Sequence, residues 1–541
     1  MLKLLLHESR IRVLLCGLFS LGSGGAIGGA MIIVSEVIAG QFFYSMPYVI
    51  GFFFLVILAQ VLRYAANVTI ISLVETITVR TRLIILDALR ESPLEQFEQI
   101  AQSKIHNVLT TDCAAISRFI PDMIELLTAG VALVFCLGYL VWLSPLVFFL
   151  AILIFVLGIG VYLLRQNSAK TDLEQSRSQL ERVYKLVLDF MGGFKELKMN
   201  AGKSEALFSG HIQPGFAKTR SLLIRANKIV QLNYSIGLVL FLSLLGFVLF
   251  FLPHYFTQDQ AIVSKIVVVL LYMVTPGGQF LYSALQFTKM NVALDNLETL
   301  KDKALSMKNS ARGSKSDNSK EGYHNFVSIC IRSLTYTYKT DNAHSFSMGP
   351  LSMDIEKGQV IFVTGGNGSG KTSLLKLITG LYTPNSGEIL VDGKQLRSVD
   401  IKAYRSLFSV VFSDFFLFEA LYGMNDPDEA KMKKWLSMFS LSHKLSIDKG
   451  RFSTDKLSSG QRRRLALFCA VMEDKPILVC DEMTADQELG FREFFYKTFI
   501  PQMKEKGKTI IIITHDDRYF GLADQTVRLE YGQPIQEDNK E

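Results

Sequence analysis

The stretch "LSSGQRRRLALFCAVMEDKPILVCDE", Leu457 to Glu482, decides how the second half of the chain folds. It opens on two serines and a glycine, a pattern that caps a helix. A basic and then apolar segment follows and predicts that helix. "DKP" ends it, and four apolar residues, Ile477 to Cys480, form a short buried strand. The strand delivers two acids at its end, Asp481 and Glu482. Alone, such a pair would be a strand ending in exposed carboxylates.

The company it keeps changes that reading. About 110 residues upstream stands "GQVIFVTGGNGSGKTSLLKLITGLY". An apolar strand, Val360–Thr364, enters a glycine-rich loop, and a helix leaves it. Loops of this form cradle phosphates on backbone N–H groups at a helix N-terminus. The loop residues are Gly365, Gly366, Asn367, Gly368, Ser369, Gly370, Lys371, Thr372 and Ser373. Lys371 is placed to reach the β- and γ-phosphates of a nucleotide, and the Thr372 hydroxyl to bind Mg²⁺. Asp481 is then a second Mg²⁺ contact, through water, and Glu482 a general base that polarises the attacking water.

The first half is of another kind. The chain has 541 residues, 49% of them hydrophobic and 20% charged, with a mean hydropathy of +0.27. A membrane span needs roughly 20 mostly apolar residues. Six such stretches occur, at about 13–38, 48–73, 124–143, 145–164, 236–253 and 261–287. A cleaved leader at the N-terminus fits less well than a retained span, because the apolar run passes leader length and further spans follow. The connections alternate. "AGQFFYSM", the tight turn at "SP" and "HYFTQDQ" lack Lys and Arg, whereas the N-terminus and the other two connections are basic. Lys and Arg mark the cytosolic side, so the N-terminus, both long connections and everything after span six are expected there.

The two basic connections read as amphipathic helices that carry the spans into the cytosol, each broken midway, at Pro93 and at Gly192-Gly193. Span one holds Gly24/Gly28 and Gly25/Gly29 at a spacing that allows close helix packing. In span six "TPGGQF", Thr275 to Phe280, predicts a break in the helix. Glu36, Arg63 and Lys265 are candidate cavity charges that could equally snorkel at the interface. The domains expected are a membrane domain over 1–302, a polar, flexible linker over 303–322 and a soluble domain over 323–541. Net charge is +7, without a basic stripe interleaved with aromatics, which argues against nucleic acid. Six scattered cysteines without CxxC suggest neither zinc nor a disulfide framework.

The signature at Leu457, Ser458, Ser459, Gly460 and Gln461 resembles that of the ABC transporter ATPases, LSGGQ, with Ser459 where the first glycine is usual. Phosphate loop, signature, acidic strand and the histidine of "IIITHDDRYF", His515, stand in family order, and Tyr338 matches the aromatic that stacks on adenine. Six helical spans followed by one α/β ATPase domain resemble an exporter half-transporter. That resemblance implies a homodimer in which each ATP lies between one chain's Lys371 loop and the other chain's signature. It assigns catalysis to Glu482 and His515, and docking on the ATPase domains to turning points near Gln96–Gln99 and Phe190–Lys195.

Three departures stand out. Ser413 occupies the place of a metal-binding glutamine, with Asp414 beside it as a possible participant; "TADQE" replaces SALD; and two aspartates follow His515. Together with the loop sequence these resemble the bacterial exporters of cyclic peptides and peptide siderophores, of the pyoverdine, syringomycin and microcin J25 type. The resemblance implies a multi-pass protein of the bacterial inner membrane, in contact with lipid, that exports a peptide-like compound. A lipid or multidrug exporter of the same architecture is the alternative.

Overall fold

The computed structural model describes residues 2–40, 46–255, 260–311, 323, 326–338, 346–398, 400–424, 427–454 and 456–535. The part of the expected linker at 312–322 lies outside them. The chain divides into two compact units, one of residues 1–86 and 102–302, the other of residues 87–101 and 303–541.

The first unit is helical. Its long helices are α1 (Leu2–Ile38) and α2 (Met46–Arg90), the latter passing into the second unit beyond Leu86. The short α3 (Leu94–Glu98) belongs to the second unit. Then come α4 (Cys113–Leu143), α5 (Pro145–Gly192), α6 (Gln213–Phe250) and α7 (Gln260–Ala311). Five helical stretches among the described residues are long and apolar enough to cross a membrane, and Pro145–Val161 is a shorter apolar one. At 1.5 Å per residue the 48 residues of α5 run about 72 Å, more than twice the roughly 30 Å hydrocarbon core. The surplus is the extension expected from the amphipathic connections. Pro93 precedes α3 as its N-cap and Gly193 terminates α5.

Span-one glycines do pack closely. A Cβ on Gly24 would lie 2.8 Å from Thr128 O, and one on Gly28 would lie 2.8 Å from Phe135 Cβ, both on α4. The second half of the unit shares an apolar core that includes Leu140, Val147, Val248 and Ile266.

Two expectations are corrected. The helix is not broken at "TPGGQF": α7 continues through Pro276 without interruption. Proline removes one backbone hydrogen bond, and inside a 52-residue helix the turns on either side persist. Nor is 303–311 a flexible linker; it is the end of α7. Leu300, Ala304 and Met307 are buried at helical spacing, and Lys308 pairs with Asp87 at 2.5 Å and with Glu91 at 3.2 Å.

The candidate cavity charges do not stand alone. Lys265 Nζ donates to Glu36 at 2.6 Å, and the Tyr139 hydroxyl donates to the same carboxylate at 2.7 Å. Arg63 donates to Glu125 at 2.7 Å. A buried charge without such a partner would be costly in a low-dielectric interior.

The second unit is the α/β domain with α3 attached. Strands β1 (Ser328–Thr337), β2 (Ser347–Glu356) and β4 (Ser386–Val391) form an antiparallel sheet in the order β2-β1-β4, edged by the short strand Lys394–Gln395. The central sheet has β3 (Val360–Gly365), β5 (Phe408–Val411), β6 (Ile477–Asp481), β7 (Thr509–Ile513), β8 (Gln525–Glu530) and β9 (Gln533–Ile535), in the order β9-β8-β3-β7-β6-β5. All of its pairings are parallel except β8 with β9. Its middle strands are continuous apolar runs, as a sheet covered on both faces requires. Helices α8 (Lys371–Ile378), α9 (Glu429–Met438) and α10 (Ser459–Met472) cover it.

Candidate functional site

The carboxyl ends of β3 and β6 bring the predicted residues together. β3 is buried along its length and stops at Gly365, whose φ is +147°. A side chain there would meet Leu529 O at 2.3 Å and Ser369 Oγ at 2.7 Å, so glycine is required. Gly370, with φ +98°, turns the loop into α8. Gly366, Asn367 and Gly368 form the exposed rim. Lys371 Nζ curls back onto the carbonyls of Gly365 and Gly366, at 3.0 and 2.9 Å. Burial lowers the Lys371 pKa against the pull of Glu482 and Asp481. The Ser369 hydroxyl is buried and makes no hydrogen bond. An orphan donor beside a lysine and a ring of loop N–H groups fits a phosphate oxygen.

The donors for a hard cation also converge. Asp481 Oδ2 accepts from Thr372 Oγ1 at 3.1 Å and from the Ser413 backbone N–H at 3.4 Å. Burial pushes the Asp481 pKa up, while Thr372 and Ser413 hold it down. A carboxylate and two hydroxyls at one point are an oxygen set suited to Mg²⁺. Ser413 therefore stands where it can act. Asp414 does not join it; the residue is exposed and makes no hydrogen bond or ion pair among the described residues.

Glu482 follows with φ +51°, a left-handed backbone unusual for a side chain of its size. Its N–H donates to Ile513 O at 3.1 Å. Its carboxylate lies 3.4 Å from His515 Nε2. Both side chains are partly open to solvent, so a water and a phosphate can reach them.

The signature forms the N-terminus of α10. Ser458 is its N-cap and accepts from Gln461 N–H at 3.3 Å, while Gln461 Oε1 accepts from Ser458 N–H at 3.0 Å. This reciprocal capping box fixes the loop entering the helix. Ser459 and Gly460 open the helix, and Leu457 packs on the apolar core.

Several residues that sequence reasoning missed connect these parts. Arg463 donates to Glu482 O at 2.6 Å and Ala485 O at 3.3 Å. Gln487 is buried, donates to Gly460 O at 3.0 Å and accepts from Arg464 Nε at 2.9 Å. The turn after the acids is thus bound to the signature helix of the same chain. On its other side the Tyr496 hydroxyl meets Thr514 at 2.5 Å and Thr484 at 3.2 Å, beside His515. "TADQE" stands out in the sequence as a departure, and its polar Gln487 is the available signal.

Tyr338 lies beside the phosphate loop, its hydroxyl 3.1 Å from Ser373 Oγ. Its ring meets Tyr336 and Tyr382 edge-on. That cluster also receives α3. Leu94 packs against the apolar core of the α/β domain. Glu98 accepts from the Tyr382 hydroxyl at 2.6 Å and from Lys376 Nζ at 3.0 Å, and Glu95 accepts from Thr383 N–H at 3.0 Å. Lys376 sits in the last turn of α8, the helix that leaves the phosphate loop. The turning point after α2 is therefore seated directly behind that loop.

Comparison with known proteins agrees with this geometry. The family model described as "ABC transporter transmembrane region" matches residues 14–279, and the one described as "ABC transporter" matches residues 348–485. ATP-binding protein SyrD of Pseudomonas syringae pv. syringae is 31% identical over 467 residues, covering 84% of this chain and 82% of SyrD. An ATP-dependent lipid A-core flippase of Paraburkholderia xenovorans is 23% identical over 507 residues, covering 89% of this chain and 81% of the flippase. Among solved structures, that of a bacterial Atm1-family ABC exporter with ATP bound superposes with a TM-score of 0.75 at 15% identity, covering 97% of this chain and 94% of that one. The chain belongs to the ABC transporter family, as an ATP-hydrolysing half-transporter with the exporter fold.

Proposed function

We propose that the protein exports a peptide-like compound, such as a cyclic peptide or peptide siderophore, across a bacterial inner membrane as a homodimer. The observation that carries this reading is the similarity to SyrD along 84% of the chain, reinforced by Ser413, "TADQE" and "THDD", which depart from the general family together. Lipid export is the second reading, favoured by the flippase similarity over 89% of the chain.

In the proposed mechanism the Lys371 loop holds the β- and γ-phosphates of ATP, with Ser369 donating to an oxygen and Tyr338 supporting adenine. Thr372, Asp481 and Ser413 would hold Mg²⁺, which supplies charge neutralisation at the phosphates when bound. Glu482 orients and deprotonates the attacking water, and His515 faces the same phosphate. Ser458–Gln461 of one chain complete the site of the other. Closure of two ATPase domains draws on α3 through Glu98 and Leu94 and so reaches the membrane helices, with the ATPase side cytosolic.

Vesicles carrying the purified protein and a panel of cyclic peptides, siderophores and lipids test the substrate. Transport and ATPase stimulation by peptides are expected; movement and stimulation by lipids alone would replace the first reading with the second. Lys371→Ala is expected to abolish turnover with insertion intact, and normal turnover would remove the site assignment.

A further inference from the structure

A second charged cavity lies in the ATPase domain, at the opposite end of the central strands from the phosphate loop. It encloses about 270 Å³ and is lined by Ser409, Lys431, Trp435, Asp474, Lys475, Lys506 and Lys508, among others. These residues come from the start of β5, from α9, from the turn between α10 and β6, and from the turn before β7. Four lysines face one aspartate across this small space, and a fifth, Lys434, adds its field at Lys506.

Not all of that charge is compensated. Lys508 is fully engaged, donating to Asp474 Oδ1 and to the carbonyls of Asp474 and Lys475 at the end of α10. Lys431 shares Asp474, at 2.9 Å. That single carboxylate is held down to about 2 by Lys508 and Lys431, and so stays ionised. Lys506 has no ion-pair partner among the described residues, and Lys475 has the Glu473 carboxylate within its field. Lys506 instead lies over the Trp435 ring, 4.8 Å from its centroid. Burial, and then the neighbouring lysines 434 and 431, lower its pKa. Ser409 is buried and, together with Lys475, favours the ionised form of Glu473. Even with Glu473 counted, the cavity carries more ammonium groups than carboxylates around a rigid aromatic floor.

We propose that this cavity is a second anion site, for a small phosphate-bearing ligand held by Lys475 and Lys506 with Lys431 in support. Ammonium groups bind phosphate oxygens through short charge-assisted hydrogen bonds, and an anion relieves the repulsion among them. The site would have consequences for the ATPase, because α10 begins at the signature and β6 ends at Asp481. The cavity touches the far end of each element.

The test is calorimetric titration of pyrophosphate, with inorganic phosphate in parallel, at constant ionic strength. The full chain in lipid nanodiscs carries Lys371→Ala, which disables the phosphate loop. Saturable binding of one anion per chain is expected. Lys475→Gln with Lys506→Gln should weaken it at least about tenfold, and the paired Arg substitutions should retain it. Binding by pyrophosphate alone would identify a ligand with two linked phosphates, and equal binding by both anions a single phosphate group. Absence of saturable heat, binding unchanged by the Gln pair, or loss with the Arg pair as well would each overturn the proposal.

Discussion

Glu98→Gln tests the link between the membrane helices and the ATP site. The carboxylate accepts two hydrogen bonds, from Tyr382 at 2.6 Å and Lys376 at 3.0 Å. Burial, and then Glu98, hold the Tyr382 phenol far above its ordinary pKa, so it remains a donor at any working pH. A hydrogen bond to a charged group is worth about 1.5–3 kcal/mol, and a partly exposed ion pair below about 1. The Glu98 side chain is 42% exposed, so both figures are reduced, to a joint loss of about 2 kcal/mol. That corresponds to about a thirtyfold smaller preference for the seated position of α3. The expected result is ATP turnover within a few-fold of normal, with substrate moved per ATP sharply reduced. Tyr382→Phe should give part of the loss, and the double substitution less than the sum of the two. The assay is paired ATPase and uptake measurement in the same vesicles. Unchanged transport per ATP in all three variants would refute the reasoning, as would strict additivity.

Four further outcomes follow from the geometry. Gly365→Ala places a methyl 2.3 Å from Leu529 O and should abolish binding of a fluorescent ATP analogue even where the chain inserts normally. Gln487→Leu strands Gly460 O and Arg464 Nε; turnover should fall about tenfold with little change in KM for ATP. Lys265→Met leaves the partly buried Glu36 with Tyr139 as its remaining donor, a loss of up to about 3 kcal/mol that thermal unfolding in detergent should report, and Glu36→Gln added to it should recover most of the loss. Asp474, with its pKa lowered from 3.8 to about 2, stabilises the folded state above about pH 4. That contribution fades as pH falls through about 2; because the side chain is 58% exposed, Asp474→Asn should lower stability at pH 7 by no more than about 1 kcal/mol.

The parts of the fold that were legible in the sequence are those set by local rules. The phosphate loop needs its glycines at fixed offsets, and the signature serine needs a glutamine three residues on to close its capping box. The membrane helices announce themselves by length and hydropathy. Misreadings arose where a local signal competes with a long-range one. Pro276 and its glycines suggest a break, yet a Cβ on Gly278 would lie 3.3 Å from the Tyr234 ring, so the glycine serves close helix packing rather than a break. Lys303–Ala311 reads as linker by its polar residues, while the stripe of Leu300, Ala304 and Met307 carries the helix onward. Partners such as Glu125 for Arg63, 62 residues away, or Tyr382 for Glu98, 284 residues away, leave no trace in any short window. Their pairing is a property of the folded chain.

Gln487 and Arg463 have a consequence for cells that hold two versions of this chain. Each chain would lend its signature to one ATP and its acids to the other, and the two loans are tied by partly buried hydrogen bonds. In the proposed pair, damage on one side would spoil both nucleotides. An allele altered at this knot should therefore poison normal copies by assembling with them. With equal expression and random pairing, about a quarter of the assemblies would be wholly intact, and loss of export beyond half would be the mark of such interference.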